Sequence, residues 1–235
     1  MVSLKESPVA SASRGPDWLP FAPWGLWELN LLGWPLAAIV GGLVWLGGIW
    51  QWLAIGLAVL LFLIVYFFRD PPRRIPNETG AIVAPADGKV VDITPLENYE
   101  FIGGPAVRIG IFLSIFNVHI NRAPCAGKVV ETFYKPGEFL NAMRPDSATR
   151  NESMWIGFET LDSPPRRFAV RQISGMFARR IVCMLEPGQA VTGGEKFGMI
   201  KLGSRTELIL PAGVEIKVQL GDKIHAGSDI VARWS

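Results

Sequence analysis

A glycine directly followed by a serine, Gly203-Ser204, is the residue pair with the greatest chemical potential in this sequence. A serine hydroxyl can attack the carbonyl carbon of the preceding residue and turn the amide into an ester, and glycine leaves that carbonyl open. The hydroxyl is a weak nucleophile unless a base removes its proton. Because Gly-Ser pairs are also common in turns, this pair predicts backbone cleavage only if a base and an orienting group accompany it.

Two histidines, His119 and His225, are available as that base. His119 follows an apolar run and precedes a turn proline, in the segment Phe-Asn-Val-His-Ile-Asn-Arg-Ala-Pro at residues 116–124, which indicates a rigidly held side chain. His225 lies in a glycine-bearing turn, where a surface position is expected. Asp87 is a further polar residue with a carboxylate that could take part in chemistry. Its Ala-Asp-Gly setting is also an ordinary turn signature.

Composition argues against several other chemistries. Cys125 and Cys183 are far apart, and with only two histidines the chain shows none of the close ligand spacing of zinc sites, so no metal is expected. Both cysteines are interpreted as core residues of a reduced, cytosolic domain. The net charge of +2 is too small to predict nucleic-acid binding.

A long uncharged run, residues 31–68, precedes these polar residues. Gln51 divides it into two apolar stretches, each close to the roughly 20 residues that span a bilayer as a helix. The run begins too late and is too long for a cleavable signal peptide. By the positive-inside rule we predict a hairpin in the cell (inner) membrane, with the residues after Arg69 facing the cytoplasm. A buried hairpin of a soluble core and a shallow re-entrant hairpin are the alternatives.

These patterns divide the chain into four parts. We predict an N-terminal cytoplasmic or interfacial segment at 1–30, the membrane hairpin at 31–68, a Pro/Arg-rich linker at 69–81 and a β domain at 82–235. In the last part, short β-branched and aromatic runs alternate with Gly, Pro and Asp, which predicts a mainly β sandwich or barrel. Residues 172–186 fit either a short helix or a further strand.

Two similar glycine-bearing segments, 84–90 and 221–227, open and close the β domain. They resemble the opening and return turns of biotinyl and lipoyl carrier domains. That likeness implies a flattened hybrid β-barrel whose first and last strands lie near each other. A carrier also needs a modified lysine, for which Lys201 is the candidate, although its neighbours do not match. A membrane-anchored adaptor is a second alternative, but the long helical heptads of such adaptors are absent from this sequence.

Four ordered segments together resemble the signatures of the phosphatidylserine decarboxylases, and the hairpin that ends in Phe-Arg-Asp-Pro-Pro-Arg-Arg-Ile-Pro is similar to their short bacterial branch. The resemblance implies a membrane-bound, self-processing, pyruvoyl-dependent enzyme that converts phosphatidylserine into phosphatidylethanolamine and carbon dioxide. The segments are residues 84–89, 117–124, 172–181 (Gln-Ile-Ser-Gly-Met-Phe-Ala-Arg-Arg-Ile) and 194–205.

The resemblance implies cleavage between Gly203 and Ser204, which leaves a large chain, 1–203, and a small chain, 204–235. Ser204 attacks, the ester eliminates, and hydration releases ammonia and leaves a pyruvoyl group at residue 204. His119 is then the base and Asp87 its orienting group. In turnover the substrate amine forms a Schiff base with the pyruvoyl carbonyl.

Two further residues are implied in substrate binding, Arg122 and Asn121. The planar fork of Arg122 suits the lipid phosphate or carboxylate, although a structural ion pair fits equally well. Some relatives carry a second histidine close to the first, whereas Asn117 and Asn121 stand in that neighbourhood here. The expected partners are the phosphatidylserine substrate, the membrane, and the large and small chains of one precursor. The sequence is also compatible with a homo-oligomer.

Overall fold

The structure is a computed structural model that describes residues 20–142, 144, 146–176, 180–201 and 204–235. Gly203, one half of the predicted cleavage pair, lies outside the described residues, as do the first nineteen residues of the predicted N-terminal segment. The chain divides between Pro72 and Arg73 into two compact units, a helical one and a β one.

The helical unit is a pair of apolar helices, which confirms the predicted helical hairpin as a structural element. Gly47 and Gly48 form the turn, with φ of 69° and 57°. Residues without a Cβ adopt these values without strain. The first helix, Pro23–Leu46, begins as a 3-10 turn (Pro23–Gly25) and continues as α1 (Leu26–Glu28), a π-helical stretch (Leu29–Gly33) and α2 (Trp34–Leu46), and the second helix is α3 (Trp50–Phe67).

Both helices are long and apolar enough to cross a membrane, with mean hydropathies of 1.7 and 2.1. Many of their large side chains are exposed; Trp45 and Trp52 near the turn are 86% and 76% exposed. Asn30 interrupts the first helix, but it donates to the carbonyl of Leu26 and accepts from the indole of Trp34. The polar side chain therefore has partners within its own helix.

The second unit is mainly β, as predicted. An eight-stranded antiparallel sheet, in the order β13-β2-β3-β11-β7-β6-β5-β9, curls into a half-barrel, and two three-stranded sheets, β1-β14-β12 and β4-β10-β8, accompany it. The strands are β1 (Ala81–Val83), β2 (Gly88–Tyr99), β3 (Gly104–Leu113), β4 (Ile120–Arg122), β5 (Gly127–Lys135), β6 (Ser153–Glu159), β7 (Arg167–Ile173), β8 (Ile181–Cys183), β9 (Ala190–Val191), β10 (Lys196–Ile200), β11 (Ser204–Pro211), β12 (Glu215–Ile216), β13 (Lys223–Ile224) and β14 (Ile230–Arg233), with one short helix, α4 (Ser147–Arg150).

The two ends of the β unit meet. β1 pairs with β14 and β2 pairs with β13, which confirms that the first and last strands of the unit lie near each other. The likeness to biotinyl and lipoyl domains stays a prediction. Within residues 172–186 the described part contains the end of β7 and strand β8, so the strand alternative is the one present there.

The main core packs against one face of the large sheet. Phe158 on β6 and Phe168 on β7 stack with their ring centroids 4.9 Å apart, and Phe197 on β10 meets Phe158 edge-on at 6.5 Å. Because side chains alternate along a strand, Leu208 and Leu210 of β11 point into this core. The earlier residues of β11 on the same face, Ser204 and Thr206, are buried too. A polar group at this place therefore lies inside the fold.

The turn at residue 88 yields a stability prediction. Gly88 follows Asp87 and begins β2, and a Cβ there would overlap the carbonyl oxygen of Phe112 on β3. We expect Gly88→Ala to lower the thermal unfolding midpoint by about 5 °C, because backbone must shift to make room. Gly213→Ala is the matched control, since a Cβ at Gly213 meets nothing within 4 Å. Equal midpoints for the two variants in differential scanning calorimetry would contradict the close packing of β2 against β3.

Candidate active site

Ser204 is the first residue of β11, which lies inside the large sheet between β3 and β7. It pairs with Leu113 of β3 and is fully buried. Its Oγ makes no hydrogen bond within the described part of the chain. A buried hydroxyl without a partner costs about 1–3 kcal/mol, so natural proteins rarely keep one without a reason. Backbone pairing sets the position of this hydroxyl, and its lone pairs remain available for a nucleophilic attack.

His119 lies in the turn between β3 and β4 and is fully buried. Its Nδ1 is 2.9 Å from the carbonyl oxygen of Asn117. A carbonyl only accepts, so Nδ1 carries the proton and Nε2 of the neutral ring carries the lone pair of a base. Asn117 is itself held, because its Oδ1 accepts hydrogen bonds from the amide and the hydroxyl of Ser114, at 2.9 and 2.7 Å. The turn thus fixes the ring, as its sequence indicates.

The strand pairing brings His119 and Ser204 to the same end of the large sheet. The amide of Ile200, at the end of β10, donates to the carbonyl of His119 at 3.2 Å. Ser204 follows Ile200 closely along the chain, and Leu113, its partner across β3, precedes His119 by one short turn. His119 is thus a few residues along the chain from Leu113, the strand partner of Ser204. Ser204 is in turn a few residues from Ile200, which hydrogen-bonds to His119.

Asp87 is buried in the turn before β2, with its carboxylate committed to other partners. Oδ2 accepts from the guanidinium of Arg73 at 2.8 Å, and Oδ1 accepts from the amide of Ala226 at 2.8 Å. In the continuous chain both carboxylate oxygens of Asp87 thus have partners other than the His119 ring. The ring N–H is given to the carbonyl of Asn117, while Asp87 ties the opening segment of the unit to its closing segment. A catalytic role for Asp87 stays a prediction.

Asn121 lies at the centre of a buried hydrogen-bond network between the β4-β10-β8 sheet and the large sheet. Its Nδ2 donates to Thr206 Oγ1 at 3.1 Å and to the carbonyl of Pro85 at 3.3 Å, and its Oδ1 accepts from Gln172 Nε2 at 2.8 Å. The second proton of Gln172 Nε2 goes to the carbonyl of Val182 at 3.3 Å. Since every donor meets an acceptor only in this orientation, the network fixes both amide groups. It links β4 and β8 to β7 and β11 beside Ser204.

Gln172 belongs to this site, although the sequence pattern does not single it out as a site residue. It is fully buried, and its Oε1 has no hydrogen-bond partner within the described residues. Gly198 of β10 makes room for it, because a Cβ there would lie 3.1 Å from Gln172 Nε2. A glutamine on the face of β7 that otherwise carries the core residues Phe168 and Val170 was the available signal, since a buried amide needs partners.

Arg122 is also largely buried, and its Nη1 donates to the carbonyl of Gly194 at 3.0 Å. Gly227 packs against its side chain, where a Cβ would lie 2.9 Å from Arg122 Cδ. Both residues predicted to bind substrate, Arg122 and Asn121, thus hold bonds within the protein. Their contact with substrate stays a prediction.

The cysteines offer no nucleophile near neutral pH. Burial raises the pKa of Cys125 to about 12 and that of Cys183 to about 11, and the thiolate is the reactive form. In the part of the chain that the structure describes, no three His, Cys, Asp or Glu side chains are grouped so that they hold a metal ion. Ser204 and His119 are therefore the nucleophile and base candidates that the geometry supports.

The amide network yields a second prediction. Gln172→Leu removes the donor that Asn121 Oδ1 accepts from and leaves that oxygen buried and unpaired, which costs about 1–3 kcal/mol. We expect its thermal unfolding midpoint to fall by several degrees. Gln219→Leu, at an exposed position, is the control and should leave the midpoint within error. A Gln172→Leu protein as stable as the control would show that the network does not hold the sheets together.

Comparison with known proteins identifies the family. The family model described as phosphatidylserine decarboxylase matches residues 60–232. Three similar proteins are named phosphatidylserine decarboxylase proenzyme. They come from Rhodopirellula baltica (45% identical, covering 92% of this chain and 89% of the relative), Chlorobium chlorochromatii (50%, 78% and 84%) and Carboxydothermus hydrogenoformans (42%, 89% and 94%). The buried serine, the held histidine and these matches lead to one conclusion: the chain belongs to the phosphatidylserine decarboxylase family.

Proposed function

We propose that this protein decarboxylates phosphatidylserine to phosphatidylethanolamine after cutting its own backbone between Gly203 and Ser204. Family membership supports the reaction, and the word proenzyme in the relatives' names supports a processing step. The observation that carries the proposal is the fully buried Ser204 hydroxyl, which has no hydrogen-bond partner among the described residues. The family match does not favour the biotinyl or lipoyl carrier or the membrane adaptor.

The cleavage begins when Ser204 Oγ loses its proton to a base and attacks the carbonyl carbon of Gly203. The C–N bond breaks, the Ser204 amine is released and an ester joins the two residues. Removal of the Ser204 α-proton then breaks the Cβ–O bond, which frees the carboxylate of Gly203 and leaves a dehydroalanine. Its tautomeric imine takes up water and releases ammonia, and a keto group remains at residue 204.

His119 is the proposed base for the first proton. Its Nδ1–H is held by the carbonyl of Asn117, so Nε2 is the atom that receives the proton. The imidazolium that forms keeps the same hydrogen bond. Asp87 is proposed to act indirectly, by holding the turn that contains Pro85. It fixes the turn whose Pro85 carbonyl accepts from Asn121 and from the amide of Arg122.

The surroundings of residue 204 fit a pyruvoyl group formed in place. When present, that group supplies a carbonyl that binds the substrate amine and accepts the electrons left behind as carbon dioxide departs. Ser204, His119, Asn121, Gln172 and Thr206 are all fully buried, so the reacting atoms are shielded from bulk solvent. Gln172 Oε1 leaves the enclosure one acceptor for a substrate N–H.

Because the proposed substrate is a membrane lipid, the enzyme must bind its headgroup and lie at the membrane. We propose that Arg122 and Asn121 contact the substrate headgroup, with Arg122 exchanging its bond to the Gly194 carbonyl for the phosphate or carboxylate. The two apolar helices would hold the enzyme at the inner membrane, where a diacyl lipid resides, with the β unit on the cytoplasmic side. The large and small chains remain together as strands of one sheet.

The two histidines of the chain provide a matched test of the base. We expect His119→Ala to slow self-cleavage by about 10²- to 10⁴-fold, because the serine loses its general base. His225 is exposed and its Nδ1 lies 3.0 Å from Asp229 Oδ2, away from the buried network, so His225→Ala should be cut at the normal rate. Denaturing gels of freshly made protein follow the conversion into two chains.

The same proteins test the substrate. Cut protein in detergent micelles should release carbon dioxide from phosphatidylserine, and Ser204→Ala protein should remain uncut and release none. Normal cleavage in His119→Ala would remove His119 as the base. Cut protein that leaves phosphatidylserine unchanged would overturn the substrate assignment.

A further inference from the structure

An ion-pair network lies on the face of the large sheet opposite to the Ser204 hydroxyl. Arg205 follows Ser204 directly, and because strand residues alternate, its side chain points to that opposite face. Its guanidinium contacts the carboxylate of Asp92 on β2 and lies 3.0 Å from Glu207 Oε1 on its own strand. The pair is well shielded, since the side chain of Arg205 is 11% exposed and that of Glu207 is 3% exposed.

Two further arginines share the same carboxylates. Arg108 on β3 lies 3.4 Å from Asp92 Oδ1 and 3.7 Å from Glu207 Oε1, and Arg171 on β7 lies 3.7 Å from Glu207 Oε2. The network therefore crosses β2, β3, β11 and β7. Removing one member of such a shielded group leaves the others without compensation, which is strongly destabilising.

The reach of Arg205 across β3 depends on a glycine. Asp92 is two strands away from Arg205, and Gly110 of β3 lies between them. A Cβ at Gly110 would lie 2.6 Å from Arg205 Nη2 and would overlap Asp92 Oδ2. The absence of that Cβ lets the first side chain after Ser204 reach a strand that is not its direct neighbour.

The proposed cleavage changes what this network joins. Residue 204 becomes a chain end, and chain ends fray unless they are tied down. Arg205 and Glu207 then belong to the small chain, whereas Asp92, Arg108 and Arg171 belong to the large chain. The contact between Arg205 and Asp92 becomes a bond between two chains, one residue away from the reacting group.

We propose that Arg205 is a positioning residue, a clamp that holds the new end of the small chain in register after the backbone is cut. The inference rests on the proposed function. Before cleavage the peptide bond to residue 203 limits how far the start of β11 can move. After cleavage, backbone pairing and the ion pairs of Arg205 must do this alone, and displacement of a reacting group by about 1 Å can lower the rate by about 10²-fold.

The test compares Arg205→Met in two backgrounds, the protein that cuts itself and uncut Ser204→Ala. Arg108→Met is the matched control, because Arg108 contacts the same Asp92 and Glu207 from a strand that stays continuous. We expect Arg205→Met to cut to completion and then to lose about 10- to 100-fold in kcat with little change in KM. Its loss in thermal midpoint should be larger in the cut protein than in Ser204→Ala, whereas Arg108→Met should lose the same in both.

Arg205→Lys, which keeps the charge, should recover part of kcat, and it serves as the second variant if Arg205→Met does not fold. An unchanged kcat, or equal losses of midpoint in the two backgrounds, would show that Arg205 only stabilises the sheet and would overturn the clamp. Arg205 variants that fold but remain uncut would also overturn it, because the residue would then act before cleavage. Wild-type protein that stays uncut would contradict the proposed function itself, so the two failures are distinguishable.

Discussion

The antiparallel pairing of β11 between β3 and β7 is the constraint on which the candidate site depends. Its register, from Ser204 opposite Leu113 to Pro211 opposite Ala106, fixes residue 204 at one end of the sheet. The alternation of the strand then assigns Ser204 and Thr206 to the face that carries the main core and Arg205 and Glu207 to the opposite face. A slip of one residue would exchange the two faces and remove the hydroxyl from the neighbourhood of His119.

The buried polar residues of β11 lie at its beginning, and the later buried residues of the strand are apolar. Beyond Thr206 the same face carries Leu208 and Leu210, which pack in the core with Phe158 and Phe168. An amide network inside a core is stabilising only when its groups find partners. Here Asn121 is fully satisfied, while Ser204 Oγ and Gln172 Oε1 have no partner within the described residues. Such departures from good packing are expected at functional sites.

The sequence predicts much of this arrangement because the signals are local. Apolar length predicts the helix pair, period-two runs predict the longer strands, and the setting of His119 predicts a rigid turn. Strands β9, β12 and β13 are two residues long, too short for a periodic pattern to reveal them. The hydrogen bond from His119 to the carbonyl of Asn117 has no residue signature, because any residue supplies a carbonyl. The pairing of Gln172 with Asn121, far apart in sequence, depends on how the sheets pack.

Intact mass of the purified, denatured protein tests the central claim most directly, because it reports the cleavage position and the fate of Ser204 together. The account predicts two chains, residues 1–203 with an ordinary carboxyl terminus and residues 204–235 lighter by one ammonia than a peptide that begins with serine. A single full-length chain, uncut in the natural protein just as in Ser204→Ala, would contradict it.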